Sequence, residues 1–210
     1  MISLFLSGLL YKNIYNIFEN YLYKKFMLEK EIKILDINKE KTIKKLEKLG
    51  ALKTFEGFIH DVYYDFLDGE NYKLDQNKRL FRVRKKGDMH LYTIKRKRKK
   101  KDYLGEKGIK VADEVEYQIT DVDSFSSVLE KYGMKKIREK KKYRISYKIG
   151  EVEFDIDKYD EIPDLIEIEA KTKKEIKHFI KELGFEKHIR KEFGSRKLYK
   201  HYGKKYLYIN

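Results

Sequence analysis

Apolar positions recur along this chain with two periods, and the switches between them mark an alternation of strands and helices. Glu29–Ile37 alternates polar and apolar residues, the pattern of a strand with one apolar face. Lys39–Leu49 carries Ile43, Leu46 and Leu49 on one helical side, and Gly50 is placed to stop that helix. Strands are expected at Phe58–Phe66, Leu80–Lys86, Leu91–Arg98 and Ile109–Ile119. A second helix, Val122–Tyr132, gathers Val122, Phe125, Val128, Leu129 and Tyr132 and ends at Gly133. Strands return at Lys142–Lys148, Glu151–Asp157 and Leu165–Ala170. A third helix, Lys173–Leu183, buries Ile176, Phe179, Ile180 and Leu183 and stops at Gly184, and residues 193–202 form a last short helix. The sum is about eight strands with three or four helices.

The pattern contains a faint repeat. Glu29-Lys-Glu-Ile-Lys-Ile-Leu-Asp-Ile lines up with Glu114-Val-Glu-Tyr-Gln-Ile-Thr-Asp-Val, and each segment leads into a helix that ends in glycine. A duplicated unit of strand, helix and further strands explains both halves. Two such units would pair into one antiparallel sheet or barrel.

Residues 1–26 stand apart as an N-terminal extension. The apolar stretch Ile2–Tyr11 is too short to span a bilayer. It lacks a basic stretch before it and a small-residue cleavage site after it, which argues against a signal peptide. Ile14, Ile17, Phe18, Tyr21 and Leu22 fall at helical spacing. A surplus upstream start with Met27 as the native first residue, a docked helix, and a membrane or signal segment all stay open. The compact domain is expected over 27–205.

Composition narrows the chemistry. The chain of 210 residues is long enough for a self-sufficient core, and its 41% hydrophobic and 14% aromatic content excludes a disordered chain. Cysteine is absent, which removes disulfide scaffolds, thiolate zinc sites and thiol nucleophiles together. The net charge is +15, from 50 basic and 35 acidic residues, and such a balance attracts polyanions.

The informative feature is how those charges fall on strands, where positions i and i+2 share a face. Glu29, Glu31 and Lys33 share one; so do Arg82 and Arg84, Lys95 and Lys97, and Glu114 and Glu116. Lys142 and Arg144, Asp155 and Asp157, and Glu167 and Glu169 follow. A charged strand face is ordinarily the solvent side of an antiparallel sheet. Roughly six acid-x-acid pairs are expected by chance in this composition, so no single pair is informative. The set is informative, because nearly every strand has the pattern and acidic strands alternate with basic ones. If the sheet closes with the helices outside, the charged faces point inward. A charged lumen is costly unless its charges are paired or a ligand occupies it. The matching ligand is a polyphosphate with a divalent metal: arginine and lysine neutralise phosphate oxygens, and carboxylates hold a hard cation. The five histidines show no metal-ligand spacing, and Ser195 has no evident triad partners.

The strands, taken in order, resemble the CYTH superfamily, the triphosphate tunnel metalloenzymes. Glu29-x-Glu31-x-Lys33 is similar to the family's ExExK signature. His60-Asp61-Val-Tyr-Tyr-Asp65 resembles its DxYFD strand, Leu80-Phe-Arg82-Val-Arg84 its LRxR strand, and Tyr92-Thr-Ile-Lys95 its LTxK strand. Glu114-Val-Glu116, Lys142-Tyr-Arg144, Asp155-Ile-Asp157 and Glu167-Ile-Glu169 resemble the later elements. The match runs from about Met27 to Lys200. Leu46-Glu-Lys-Leu-Gly-Ala51 leans toward the cyclase-like and thiamine-triphosphatase-like branch. One departure is plain: the family often has an arginine shortly before the second ExE, where this chain has Val111-Ala112-Asp113. Glu192–Tyr199 is only loosely like the family's closing helix.

The resemblance implies an α+β fold, a closed eight-stranded antiparallel β-barrel tunnel with helices packed outside. It implies metal-site roles for Glu29, Glu31, Glu114, Glu116, Asp155, Asp157, Glu167 and Glu169, with Mg²⁺ or Mn²⁺ as the cofactor. It implies triphosphate binding by Lys33, Arg82, Arg84, Lys95, Lys142 and Arg144, with Glu29, Glu31 and Lys33 at the catalytic centre. Lys97 and Arg138 are weaker candidates, Lys97 because it lies in the run Lys95–Lys101, which reads as a solvated loop. The expected activity is hydrolysis of inorganic triphosphate, ATP or thiamine triphosphate. Cyclisation of ATP to cyclic AMP and pyrophosphate is the alternative, and a non-catalytic polyphosphate- or RNA-binding module is a second alternative. Hydrolysis is placed first because no adenine-recognition motif is visible. A cytoplasmic location is expected, without a membrane or nucleic-acid partner, and a homodimer is compatible with the sequence.

Overall fold

The computed structural model of the chain describes residues 27–66, 79–97 and 108–205. The side chains of residues 27–29, 79 and 97 lie outside that description, as do the extension 1–26 and the basic run beyond Lys97. The strands are β1 (Met27–Ile34), β2 (Leu52–Phe66), β3 (Arg79–Lys86), β4 (Met89–Lys97), β5 (Lys110–Gln118), β6 (Met134–Ile149), β7 (Val152–Lys158), β8 (Leu165–Ala170) and β9 (Arg190–Lys191). The helices are α1 (Lys39–Lys48), α2 (Val122–Lys131), α3 (Lys173–Glu182) and α4 (Ser195–His201).

Eight strands close into an antiparallel barrel in the order β1-β5-β4-β3-β2-β6-β7-β8 and back to β1. The two-residue β9 adds to the end of β1 beside Lys33 and Ile34. Chain order divides the ring into two like halves, β1-α1-β2-β3-β4 and β5-α2-β6-β7-β8. They interlock through four pairs, β1–β5, β1–β8, β4–β5 and β2–β6. This is the duplication suggested by the repeat at Glu29 and Glu114. Gly50 and Gly133 end the corresponding helices with φ of 81° and 86°, the left-handed conformation that glycine adopts without a Cβ clash. Asn38 and Asp121 cap the same helices, accepting from the backbone N–H groups of Lys41 and Ser124. Thr172 and Glu175 form a full capping box on α3.

The hydrophobic core lies outside the barrel wall. Outward residues Ile32 and Ile34 of β1, Phe154 and Ile156 of β7, and Ile166 and Ile168 of β8 pack beneath Leu46 of α1 and Ile176, Phe179 and Ile180 of α3. A smaller cluster of Tyr64, Val83 and Met134 underlies α2. A third, with Leu35, Tyr159 and Leu165, anchors α4 through Leu198 and Tyr199 at one end of the barrel. With the apolar faces turned out under helices, the charged faces turn in. Among the described residues no helix is long and apolar enough to cross a membrane.

Two features depart from expectation. β6 begins at Met134, not Lys142, and β2 begins at Leu52, not Phe58. The run Lys135–Lys142 is charged on both faces, so no period-two signal marks it as strand. Its inward members Arg138 and Lys140 find partners in the lumen instead of solvent. The second difference is α2, none of whose residues is fully buried. Val122, Phe125 and Leu129 rest on the barrel, while Val128 and Tyr132 are 50% and 75% exposed. The small cluster beneath α2 is too narrow to cover a five-residue stripe.

Phe154 is fully buried and stacks edge-on against Phe179. Phe154→Ala is expected to lower unfolding stability by about 3–5 kcal/mol. Val128→Lys should stay within about 0.5 kcal/mol of the parent. Urea unfolding followed by circular dichroism checks both, through the midpoint at constant slope.

Candidate active site

The inward faces line a cavity of about 740 Å³ within the barrel. Among the described residues, twelve lysines and arginines and seven carboxylates line it, so cations exceed carboxylates by five. The cavity is within the size range that small ligands fill.

Strand geometry sets the placement. On β1, Glu31 and Lys33 face inward, and the Lys33 ammonium lies 3.0 Å from Glu31 and 2.7 Å from Glu167 of β8. Burial alone would push Lys33 toward neutrality, but the Glu167 and Glu31 carboxylates outweigh it and hold its pKa above the ordinary lysine range. Burial likewise disfavours the Glu167 carboxylate, yet Lys33, Lys142 and Arg144 hold it well below the ordinary range. On β3, Arg82 donates to Thr93 at 2.9 Å and approaches Glu114 and Glu116 of β5 at 3.3 and 3.5 Å. Arg84 donates to both oxygens of Asp61, at 2.6 and 3.0 Å. Lys95 of β4 bridges Glu114 at 2.7 Å and Glu31 at 3.4 Å.

Arg144 organises the opposite wall. It donates to both oxygens of Asp157, to Asp155, and to Glu167 at 3.1 Å. Lys142 donates to the same Asp157 at 2.5 Å. Burial and the neighbouring Arg144 nonetheless bring the Lys142 pKa down to about 7, against the pull of Asp157. The same two cations depress the Asp157 pKa, although burial alone would raise it. Glu169 stands in register with Glu31 on β1 and with Glu153 on β7, and it lines the cavity.

The structure thus brings Glu31, Lys33, Arg82, Arg84, Lys95, Glu114, Glu116, Lys142, Arg144, Asp155, Glu167 and Glu169 together around one lumen. Asp157 is set apart: it is fully buried beneath Lys142 and Arg144 and does not line the cavity. The Glu29 backbone pairs with Ala112, and its side chain is outside the described residues. Lys97 has the same status, whereas Arg138 lines the cavity with its guanidinium 3.9 Å above the Tyr63 ring.

Sequence reasoning missed several participants. Asp61, noted only as part of a motif, is fully buried between Arg84 and Lys140, whose ammonium is 3.3 Å away. Its position opposite Arg84 in the β2–β3 register is the signal that could have found it. Lys86 and Lys140 also line the lumen, as do residues Gly194–Lys197 at the start of α4. Lys110, four residues before Glu114, supplies the inward cation that Val111-Ala112-Asp113 does not. Parity counted back from Glu114 would have put it on the inner face.

A family model of the CYTH domain matches residues 27–197. The chain belongs to the CYTH family. A Methanocaldococcus jannaschii protein named "Putative adenylate cyclase MJ0240" is 27% identical over 146 residues, 68% of this chain and 77% of that protein. A Vibrio parahaemolyticus structure, titled as that of a putative adenylate cyclase, superposes with a TM-score of 0.64 at 18% identity, over 84% of this chain and 99% of that one. The Hippeastrum protein HpAC1 superposes with a TM-score of 0.54 at 16% identity, over 85% and 97% of the two chains; its title describes an adenylyl cyclase candidate with a dominant triphosphatase activity. At these identities the two structures speak to the CYTH fold alone.

The carboxylates of the lumen are oxygen donors, the kind that a hard divalent cation takes. Among the described residues no group of three acidic or histidine side chains converges on one point. The carboxylates are instead spread as oxygen donors along β1, β5, β7 and β8, each within reach of a lumen cation. Asp157, buried behind this set, accepts once from Lys142 and twice from Arg144. Asp157→Asn leaves the buried Lys142 and Arg144 under-compensated and is expected to cost about 3–5 kcal/mol of unfolding stability. Glu114→Gln, at a more open position, should cost far less. Urea denaturation at neutral pH measures both, and a cost under about 1 kcal/mol for Asp157→Asn would contradict its anchoring role.

Proposed function

We propose that this CYTH protein is a divalent-metal-dependent triphosphatase that hydrolyses the terminal phosphate of an inorganic or organic triphosphate. The observation that carries this reading is the polarity of the lumen. Arg82, Arg84 and Lys95 on β3 and β4 lie four strands around the ring from Glu167, Glu169 and Asp155 on β8 and β7. A triphosphate laid between these walls meets guanidinium and ammonium groups on one side. Carboxylates for Mg²⁺ or Mn²⁺ are available across the lumen at Asp155, Glu167 and Glu169 and on β1 and β5 at Glu31, Glu114 and Glu116, with Glu31, Glu167 and Glu169 as the first candidates; Glu29 is a further candidate by its place in the sequence. When bound, such a cation would neutralise phosphate charge and acidify water.

Lys33, Arg82, Arg84, Lys95, Lys142 and Arg144 then bind and orient the phosphate chain, with arginine able to engage two oxygens at once. Their pairing with carboxylates in the ligand-free protein keeps them extended into the lumen and preorganised. Hydrolysis requires water in line with the terminal phosphorus; the bond to the bridging oxygen breaks, phosphate is released, and the diphosphate leaves, as pyrophosphate from inorganic triphosphate or as the organic diphosphate from ATP or thiamine triphosphate. The reaction depends on positioning and electrostatics, without a covalent nucleophile.

Cyclisation is the second reading, favoured by the name of the Methanocaldococcus jannaschii relative. There the ribose 3′-hydroxyl of ATP attacks the α-phosphorus and pyrophosphate departs. Product analysis with Mg²⁺ or Mn²⁺ and separate inorganic triphosphate, ATP and thiamine triphosphate decides between them. Phosphate release is expected; cyclic AMP with pyrophosphate would establish the cyclase. Metal-dependent binding without product would instead indicate a binding module.

Glu31→Gln should reduce metal-dependent turnover by at least about a hundredfold while leaving the circular dichroism spectrum unchanged. Full activity would remove Glu31 from the metal site. Arg82→Ala should raise the KM for inorganic triphosphate about tenfold or more. Lys142 attracts anions only when protonated, so its contribution is present below pH about 7 and is lost as pH rises through that value. Calorimetric affinity for inorganic triphosphate in chelator should therefore fall above that pH relative to Lys142→Met. That comparison cancels the ligand's own titration.

A further inference from the structure

We infer that Lys110 is a phosphate-binding cation held on Glu31 in the ligand-free protein, and that this pair couples metal loading to triphosphate loading. The inference rests on the reading of Glu31 as a metal ligand in a triphosphate site. It adds a residue and a coupling which that reading does not require.

Glu31 and Lys110 stand directly opposite each other in the β1–β5 register. The Lys110 ammonium is 2.7 Å from Oε1 of Glu31, and the two side chains are only 15% and 7% exposed. Lys33 reaches the same Oε1 at 3.0 Å, and Lys95 reaches Oε2 at 3.4 Å. Three ammonium groups therefore surround one carboxylate, more positive charge than it can neutralise. Lys33 is also tied to Glu167 and Lys95 to Glu114, each at 2.7 Å. Lys110 differs in its setting. It is the first residue of β5, and the next inward position is Ala112, which lines the cavity with a methyl group alone. Beyond Ala112 lies Glu114, beside Arg82. The long stem of Lys110 can therefore sweep along β5 toward the lumen centre without passing another bulky inward side chain on that strand.

A carboxylate oxygen that accepts from an ammonium cannot give its full charge to a divalent cation. Metal at Glu31 displaces Lys110, and the displaced ammonium sits in a partly desolvated lumen, where a phosphate oxygen is the matching partner. Conversely, a phosphate that draws Lys110 away removes one of the three ammonium groups competing with the cation for Glu31. Each ligand then favours the other, as reciprocal linkage requires.

Lys110→Met keeps the stem and removes the charge. Binding of Mn²⁺ to the full-length ligand-free protein, followed by calorimetry, should tighten about fivefold in this variant. Binding of inorganic triphosphate in chelator should weaken by about fivefold or more. Opposite signs for the two ligands are the expected signature, and Lys110→Arg should behave like the parent. Mn²⁺ affinity that is unchanged or weaker in Lys110→Met overturns the coupling, and unchanged triphosphate affinity removes Lys110 from the phosphate site. Glu31→Gln is the control for the underlying reading. If it leaves Mn²⁺ affinity intact, the metal role of Glu31 fails whatever Lys110 does.

Discussion

The inward charges of the barrel have to neutralise one another before any ligand arrives. Eight strands enclose an interior just wide enough for side chains or one small ligand. A row of lysines and arginines there would be strongly destabilising alone. The chain meets this constraint with cross-strand pairs: Arg144 with Asp155, Asp157 and Glu167, Arg84 with Asp61, and Lys33 with Glu31 and Glu167. The same pairs hold long flexible side chains in place. The network that makes the barrel foldable is therefore also the one that presents the site.

Stability and site chemistry are separated by the wall. Outward residues such as Ile34, Phe154, Ile166 and Ile168 are fully buried beneath α1 and α3 and supply the hydrophobic stabilisation. Inward residues need contribute little net stability, as is usual for buried ion pairs. Asp61 and Asp157 are the exceptions. Both are fully buried below the lumen surface and are held well below or below the ordinary aspartate range by adjacent cations, although burial alone would raise them. They hold Arg84, Lys140, Lys142 and Arg144 from behind and leave the opposite sides of those cations toward the cavity.

The sequence made the strand-and-helix order legible because each strand carries one apolar face and each of the first three helices ends at a glycine. The lumen residues were legible for the same reason, through parity on a strand. What stayed hidden was hidden physically. Lys135–Lys142 has charge on both faces, so its strand period disappears. Lys110 shares the parity of Glu114, but uncharged Ala112 stands between them, so no charged pair marks it. Asp61 lacks an acidic neighbour at i+2, because Tyr63 fills that inward position and stacks under Arg138 instead. Val128 and Tyr132 follow helical spacing but find no surface to pack on. Spacing reports which residues share a face, not how much neighbouring surface exists to bury them.

The two halves of the barrel also explain why the repeat in the sequence is faint. By chain order β2 corresponds to β6, β3 to β7 and β4 to β8. Their inward charges are inverted: Asp61 against Lys142 and Arg144, Arg82 and Arg84 against Asp155 and Asp157, and Lys95 against Glu167 and Glu169. A symmetric duplicate would place like charges opposite each other across the lumen, since β3 faces β8 and β4 faces β7 in the ring. Repulsion of several cations at that range, with little water to screen them, would be severe. Inversion converts this repulsion into attraction across the cavity. It also sets basic β3 opposite acidic β8 and basic β4 opposite acidic β7, so that an elongated anion and a hard cation both find complementary charge in one lumen. The apolar outer pattern, which needs only to repeat, survives in both halves, while the inner pattern has to diverge.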